Sequence, residues 1–164
     1  MNYTIFATGF GWIAVAGSEQ GLSRITLPQT NREEALGYIA GLAPQPVADS
    51  SFFGDLILRL QGYFKGERVE FPDALDLTGT TTFQQAVWKA TRTIPYGETR
   101  AYGWVAGEMG VPGAGRAVGQ ALGRNRFPIV VPCHRVVGSD GSLGGFSNGL
   151  ETKRRLLALE SGVM

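Results

Sequence analysis

Short runs of β-branched and aromatic residues open the chain. Tyr3–Thr8, Trp12–Ala16 and Leu22–Leu27 read as strands, parted by Gly9-Phe10-Gly11 and by the stretch from Gly17 to Gly21. This spacing predicts an antiparallel meander. The period then changes. Asn31–Ala40 predicts a helix, with Asn31 as N-cap and Glu33 and Glu34 in the first turn, where the helix dipole favours anions. Ala43-Pro44-Gln45-Pro46 predicts a loop. Ser51–Phe64 predicts a second helix, with Phe52, Leu56, Leu60 and Phe64 four residues apart. Val69-Glu70-Phe71 predicts a returning edge strand. The carboxylates of this half are scattered and suit a solvated surface.

Pro72–Thr80 is polar and turn-rich, a joint between domains at 1–75 and 81–164. Beyond it the pattern is helical. Thr81-Thr82-Phe83-Gln84 is a capping box, and Phe83, Ala86, Val87, Ala90 and Ile94 follow at helical spacing until Pro95-Tyr96-Gly97. Thr99 is the expected cap of the next helix, whose apolar set is Tyr102, Val105, Ala106 and Met109. Gly110-Val111-Pro112-Gly113 turns the chain into a third helix with the stripe Ala114, Ala117, Val118, Ala121 and Leu122. Two short helices around a tight turn match a helix-turn-helix. The opposite face of the third helix carries Gly115, Arg116, Gly119 and Gly123. Each glycine costs a helix about 1 kcal/mol relative to Ala, so either a nucleic-acid backbone or a neighbouring element of the protein must approach closely. The fold class is therefore α+β, a small antiparallel-sheet domain with helices followed by a mostly helical domain.

Composition narrows the function. The 164 residues are 43% hydrophobic and 18% charged, enough for a folded core. No apolar run is long enough to span a bilayer, and the first residues do not resemble a signal peptide, so the expected location is the cytoplasm and no membrane partner is expected. One Cys and one His cannot make a disulfide or a Cys/His zinc site; no metal or organic cofactor is expected. The net charge of +1 hides a split. Up to Thr80 there are five basic residues against nine acidic ones, and from Thr81 onward ten against five. A basic second half suits a polyanionic partner.

The only Cys and the only His are adjacent in Pro132-Cys133-His134-Arg135-Val136. A lone Cys is ordinarily a small buried hydrophobe. Consecutive side chains diverge, so direct cooperation needs a non-strand backbone or a bridging water. Pro132 fixes the approach to the Cys. This segment resembles the active-site signature of the O6-alkylguanine-DNA alkyltransferases. Ile94-Pro95-Tyr96-Gly97-Glu98-Thr99 with Tyr102, Arg116-Ala117-Val118-Gly119, Asn125, Gly138-Ser139-Asp140-Gly141, Gly145 and Leu156-Leu157-Ala158-Leu159-Glu160 follow that family in order and spacing. Over residues 1–75 the resemblance is architectural, to a ribonuclease-H-like domain ahead of a winged-helix-like one.

The resemblance implies single-turnover repair of O6-alkylguanine in double-stranded DNA, met from the minor groove by a monomer. Cys133 would accept the alkyl group. His134 would take its proton through a water, and Glu160 would orient the imidazole. Asn125 would tie the recognition helix to the active-site loop. Tyr102 would assist the leaving base at N3. The carbonyls of Cys133 and Val136 would receive the guanine 2-amino group, and the Ser147 N–H would reach O6. Phe146, where the family often has Tyr, would pack on the base. Arg116 would fill the stack after base flipping, on a surface formed with Gly115, Ala117 and Gly119. Two alternatives stay open on the residues alone: a cysteine hydrolase using Cys133, His134 and Glu160, and a non-catalytic helix-turn-helix regulator.

Overall fold

The computed structural model describes residues 1–144 and 149–162. The chain forms two compact units, Met1–Leu77 with Arg126–Val130, and Thr78–Asn125 with Val131 onward.

In the first unit β1 (Asn2–Thr8), β2 (Gly11–Ser18) and β3 (Gly21–Ile25) form the expected meander. The sheet order is β3-β2-β1-β4, and β4 (Val47–Ala48) runs parallel to β1. β2 lies between β3 and β1, and Ile13 through Ala16 are buried on both faces. Helix α1 (Arg32–Gly37) begins as expected, with the Asn31 side chain accepting from the Glu34 N–H. Its Ala35 and the following Ile39 cover Ile5, Ala14 and Ala16. Gly21, at φ 125°, lies so close to Ala74 that a Cβ would stand 2.7 Å from the Ala74 carbonyl oxygen, so this hairpin turn requires glycine.

Two expectations for this unit are corrected. The helix predicted over Ser51–Phe64 is interrupted. A 3-10 turn (Ser50–Phe53) ends at Gly54, whose φ of 58° and ψ of −125° no helix contains, and α2 (Leu56–Tyr63) starts afresh. Val69-Glu70-Phe71 is not a strand. Arg59 of α2 donates to the Glu70 carbonyl at 3.3 Å and forks onto Asp73 at 2.7 and 2.9 Å. Phe71 packs edge-on against Tyr63 and lies beneath the Arg59 guanidinium. Side chains of α2, and not a strand, hold this segment.

The second unit is helical. α3 (Thr82–Thr91) starts with the complete capping box of Thr81 and Gln84. Its Trp88 is buried and donates from Nε1 to the Ala121 carbonyl. α4 (Tyr102–Glu108) and α5 (Gly115–Gly123) form the helix-turn-helix. Thr99 does not cap α4. Instead Arg100–Ala101 forms β5, which pairs in parallel with β6 (Val136–Val137), and α4 starts from Ala101 without a side-chain cap. α6 (Leu150–Ser161) closes the unit.

Candidate active site

Backbone turns hold the reactive segment. Pro132 sits at φ −79° and ψ 65°, the geometry of an inverse γ-turn, and the Cys133 N–H donates to the Val131 carbonyl at 2.7 Å. A 3-10 turn, Cys133–Arg135, follows, and the Val136 N–H closes it onto the Cys133 carbonyl. This is the non-strand backbone that neighbouring Cys and His side chains require. Cys133 is buried, and so are His134 and Arg135. Asn125, just past α5, donates from Nδ2 to the Val131 carbonyl at 3.0 Å and also hydrogen-bonds Cys133. The end of α5 is thereby tied to the loop that carries Cys133.

Glu160 reaches the turn from the end of α6. One carboxylate oxygen lies 2.6 Å from His134 Nε2. An ionised carboxylate only accepts, so Nε2 carries the proton. Arg135 forks onto the same carboxylate, Nε at 2.8 Å and the second guanidinium nitrogen at 3.0 Å. The Gly97 N–H adds a fourth donor at 3.1 Å. Arg135 also donates to the Ile94 carbonyl at 2.8 Å and lies over the Tyr96 ring.

Lys153, also on α6, is wholly buried. Its ammonium donates to the Val136 carbonyl at 2.7 Å and to the Leu143 carbonyl, and it lies 5.9 Å from the centre of the Tyr102 ring. Tyr102 begins α4. A Cβ at Gly115 or Gly119 of α5 would lie 3.7 Å from it, and a Cβ at Gly144, φ 68°, would collide with its hydroxyl. Gly115 and Gly119 therefore pack against the protein's own tyrosine, which corrects their reading as part of an exposed face. The outward face of α5 carries Arg116, Ala117, Gln120, Gly123 and Arg124, and Ala117 is exposed there instead of joining the buried stripe.

Cys133, His134, Glu160, Asn125, Tyr102 and Val136 are thus gathered in the second unit, with Arg116 on its helical surface. Phe146 and Ser147 lie outside the described residues. Arg135 and Lys153 were not singled out from the sequence. Lys153 stands three and seven residues before Leu156 and Glu160, a helical spacing that puts all three on one face. That register was the available signal, masked by the polar run Lys153-Arg154-Arg155.

Two family models cover the chain. "6-O-methylguanine DNA methyltransferase, ribonuclease-like domain" matches residues 1–77, and "6-O-methylguanine DNA methyltransferase, DNA binding domain" matches residues 82–162. The chain belongs to the 6-O-methylguanine DNA methyltransferase family. It is 43% identical over 160 residues to the methylated-DNA--protein-cysteine methyltransferase of Mycobacterium tuberculosis, covering 98% of this chain and 92% of the relative. The protein of that name from Methanosarcina acetivorans is 41% identical, with 98% of each chain covered. Among solved structures, Mycobacterium tuberculosis OGT in complex with DNA aligns with a TM-score of 0.80 at 44% identity, covering 99% of this chain and 94% of that one. The O6-methylguanine-DNA methyltransferase of Pyrococcus kodakaraensis aligns with a TM-score of 0.75 at 28% identity, covering 97% and 98%. The sheet-plus-helices unit followed by a helical unit is the fold of these structures.

In this methyltransferase-family chain the buried groups shift one another. Burial pushes the Cys133 thiol up, while the Asn125 hydrogen bond and the Lys153 charge pull it down by less. The thiol is therefore protonated at rest and needs a base. Burial holds His134 below its ordinary value; Glu160 pulls it up, and Arg135 and Lys153 push it down again. Burial alone would raise the Glu160 carboxyl, but the hydrogen bonds from His134 and Arg135 outweigh it and hold it far below the usual carboxylate range. Burial lowers Lys153, and the Cys133 sulfur raises it. The site can thus remove a proton from a buried thiol and hold the resulting anion near a cation.

Proposed function

We propose that this family member repairs DNA by transferring the alkyl group of O6-alkylguanine in duplex DNA to Cys133. The observation that carries the reading is the chain's one thiol, fixed on a tight turn beside a His134–Glu160 pair 2.6 Å apart, in a unit that presents a helix-turn-helix. His134 takes the S–H proton through a water. The sulfur electron pair forms a bond to the alkyl carbon as the carbon–O6 bond breaks, and that pair returns to the base. Tyr102 assists the departing guanine at N3. The Val136 carbonyl has a second lone pair beyond the one engaged by Lys153, as does the Cys133 carbonyl beyond the Val136 N–H, and both suit the 2-amino group. Ser147 and Phe146 complete the contacts to the base. Lys153 stabilises the thiolate, and Asn125 keeps the thiol in register with α5. Arg116 occupies the stack once the nucleotide has left it, with Ala117 beside it on the outward face of α5 meeting the minor groove, while Gly115 and Gly119 let the helix lie close to Tyr102.

Residues 81–164 carry both binding and transfer, with residues 1–75 as a separate domain. The carbon changes partner without changing oxidation state, so no redox cofactor takes part. The thioether product resists hydrolysis, and each chain acts once, as a monomer. A thiol that must stay reduced suits a cytoplasmic setting; no helix of the described residues is long and apolar enough to cross a membrane.

The test is intact-protein mass spectrometry after mixing with a duplex containing O6-methylguanine. One methyl group per chain, located on Cys133, is the expected result. Cys133→Ser should bind the duplex and take none. Several turnovers per chain would favour a cysteine hydrolase instead, and an inert Cys133 with sequence-specific binding would favour a regulator.

A further inference from the structure

Glu160 has a partner that a thiol–imidazole–carboxylate set does not need. His134 alone would supply the orienting hydrogen bond, yet Arg135 grips both carboxylate oxygens at 2.8 and 3.0 Å, and its remaining terminal nitrogen is tied to the Ile94 carbonyl. Two donors of one guanidinium on one carboxylate form a bidentate fork, which fixes charge as well as geometry. The side chain of Glu160 is 1% exposed and that of Arg135 is 11% exposed, so water screens the pair little.

The charge count around His134 decides what this does. α6 brings Glu160 and Lys153 to it, and its own turn brings Arg135 and Cys133. Tyr96 covers Arg135, and Tyr102 covers Lys153. A buried carboxylate whose only partner is an imidazole draws a proton onto the ring, because an uncompensated buried charge is costly. With Arg135 in place that charge is already met. A proton on His134 would then leave a buried net positive charge with Lys153 close by. The imidazole is held by Glu160 without being charged by it.

We propose that Arg135 is a positioning residue that neutralises Glu160, so that His134 waits as an uncharged imidazole able to accept the Cys133 proton. Its consequence for rate rests on the alkyl-transfer reading; its consequence for the histidine does not. A charged His134 could not act as a base. Arg135 therefore separates two services a carboxylate gives, orientation and charge, and keeps only the first until the sulfur loses its proton.

His134 is the chain's only histidine, so its ring nitrogens can be followed by nitrogen-15 NMR against pH without assignment. The wild type should show a neutral ring at pH 7, protonated at Nε2. Arg135→Gln should raise the protonation midpoint by about one pH unit or more, the scale set by one nearby charge. Arg135→Lys, which keeps the charge and loses the fork, should titrate with the wild type even if it is less stable. The acid limb of the pH–rate profile for alkyl transfer should move upward in Arg135→Gln alone. A wild-type ring charged at pH 7 would overturn the proposal, and so would equal titration in wild type and Arg135→Gln, or equal shifts in Gln and Lys variants. If Arg135→Gln fails to fold, the wild-type ring and Arg135→Lys still decide. Absence of alkyl transfer with a neutral, Nε2-protonated ring would count against the repair reading and leave this proposal standing.

Discussion

His134 and Glu160 hold protons differently in the folded chain than in water, and stability must follow. The unfolded imidazole takes a proton near its ordinary value of 6.5, while the folded one resists it. The unfolded state then binds more protons, so stability falls as pH drops below 6.5. Glu160 has the same sign lower down. Its folded value is depressed, so its contribution is complete above the ordinary 4.5 and is lost as pH falls below that. Urea unfolding midpoints should therefore decline in two stages. Each tenfold difference in proton affinity between the folded and unfolded chain is worth about 1.4 kcal/mol. Glu160→Gln should shrink the lower stage to what the exposed Asp55 and Asp140 contribute, whose carboxyls are also held below their ordinary value, by Arg59 and by the Ser142 N–H. It should also cost about 3–5 kcal/mol near neutral pH, because Arg135 is left buried without its partner. A flat profile between pH 7 and 5 would mean that His134 is as free to charge when folded as when unfolded. The acidic and imidazole members of this site were legible in the sequence by their resemblance to a known signature. Arg135 stood inside that signature with no role assigned, because partnership with a residue 25 positions away is a tertiary fact.

At the scale of elements, α5 combines a buried side, a tyrosine-facing side and an outward side in nine residues. Val118, Ala121 and Leu122 are buried, Gly115 and Gly119 back onto Tyr102, and Arg116 stands outward. Arg116 is therefore on a different side of the helix from the tyrosine. If it replaces a flipped base, its loss should matter only when a base must leave a stack. Unstacking costs a few kcal/mol, so Arg116→Ala should slow transfer from duplex DNA by about 10- to 1000-fold at 1.4 kcal/mol per decade. The rate with free O6-benzylguanine should be nearly unchanged. Paired second-order rates check this, and equal slowing of both would assign Arg116 to the fold. The elements themselves were legible where local chemistry decides them: the three alternating strands, the Asn31 cap, and the Thr81–Gln84 box. They were not legible where distant groups decide. Four-residue spacing cannot register that Gly54 reverses its backbone, and Thr99 lost its helix because Arg100–Ala101 pairs with Val136–Val137. Val47–Ala48 is too short and too exposed to show a strand period.

For the whole molecule, the two units carry opposite charge. The first, with Arg126–Val130, holds six cationic side chains against nine carboxylates. The second, leaving aside the buried group of Arg135, Lys153 and Glu160, holds seven against four. Binding to undamaged duplex should follow this division. Cations that neutralise phosphates release condensed counterions, so log affinity falls with log salt at about −0.9 per phosphate met. A surface of this modest excess that meets about three phosphates gives a slope near −2.7, or roughly a 40-fold loss between about 50 and 200 mM salt. Arg124 is exposed at the end of α5 beside the Arg116 face, and Lys65 is exposed in the first unit. Arg124→Ala should make the slope shallower by about 0.9, equally for every undamaged sequence, since a phosphate contact carries no base information. Lys65→Ala should leave the slope where it was. Fluorescence anisotropy of a labelled duplex across a salt series measures both. An affinity indifferent to salt, or a slope that responds to Lys65 and not to Arg124, would remove the second unit from the nonspecific DNA contact.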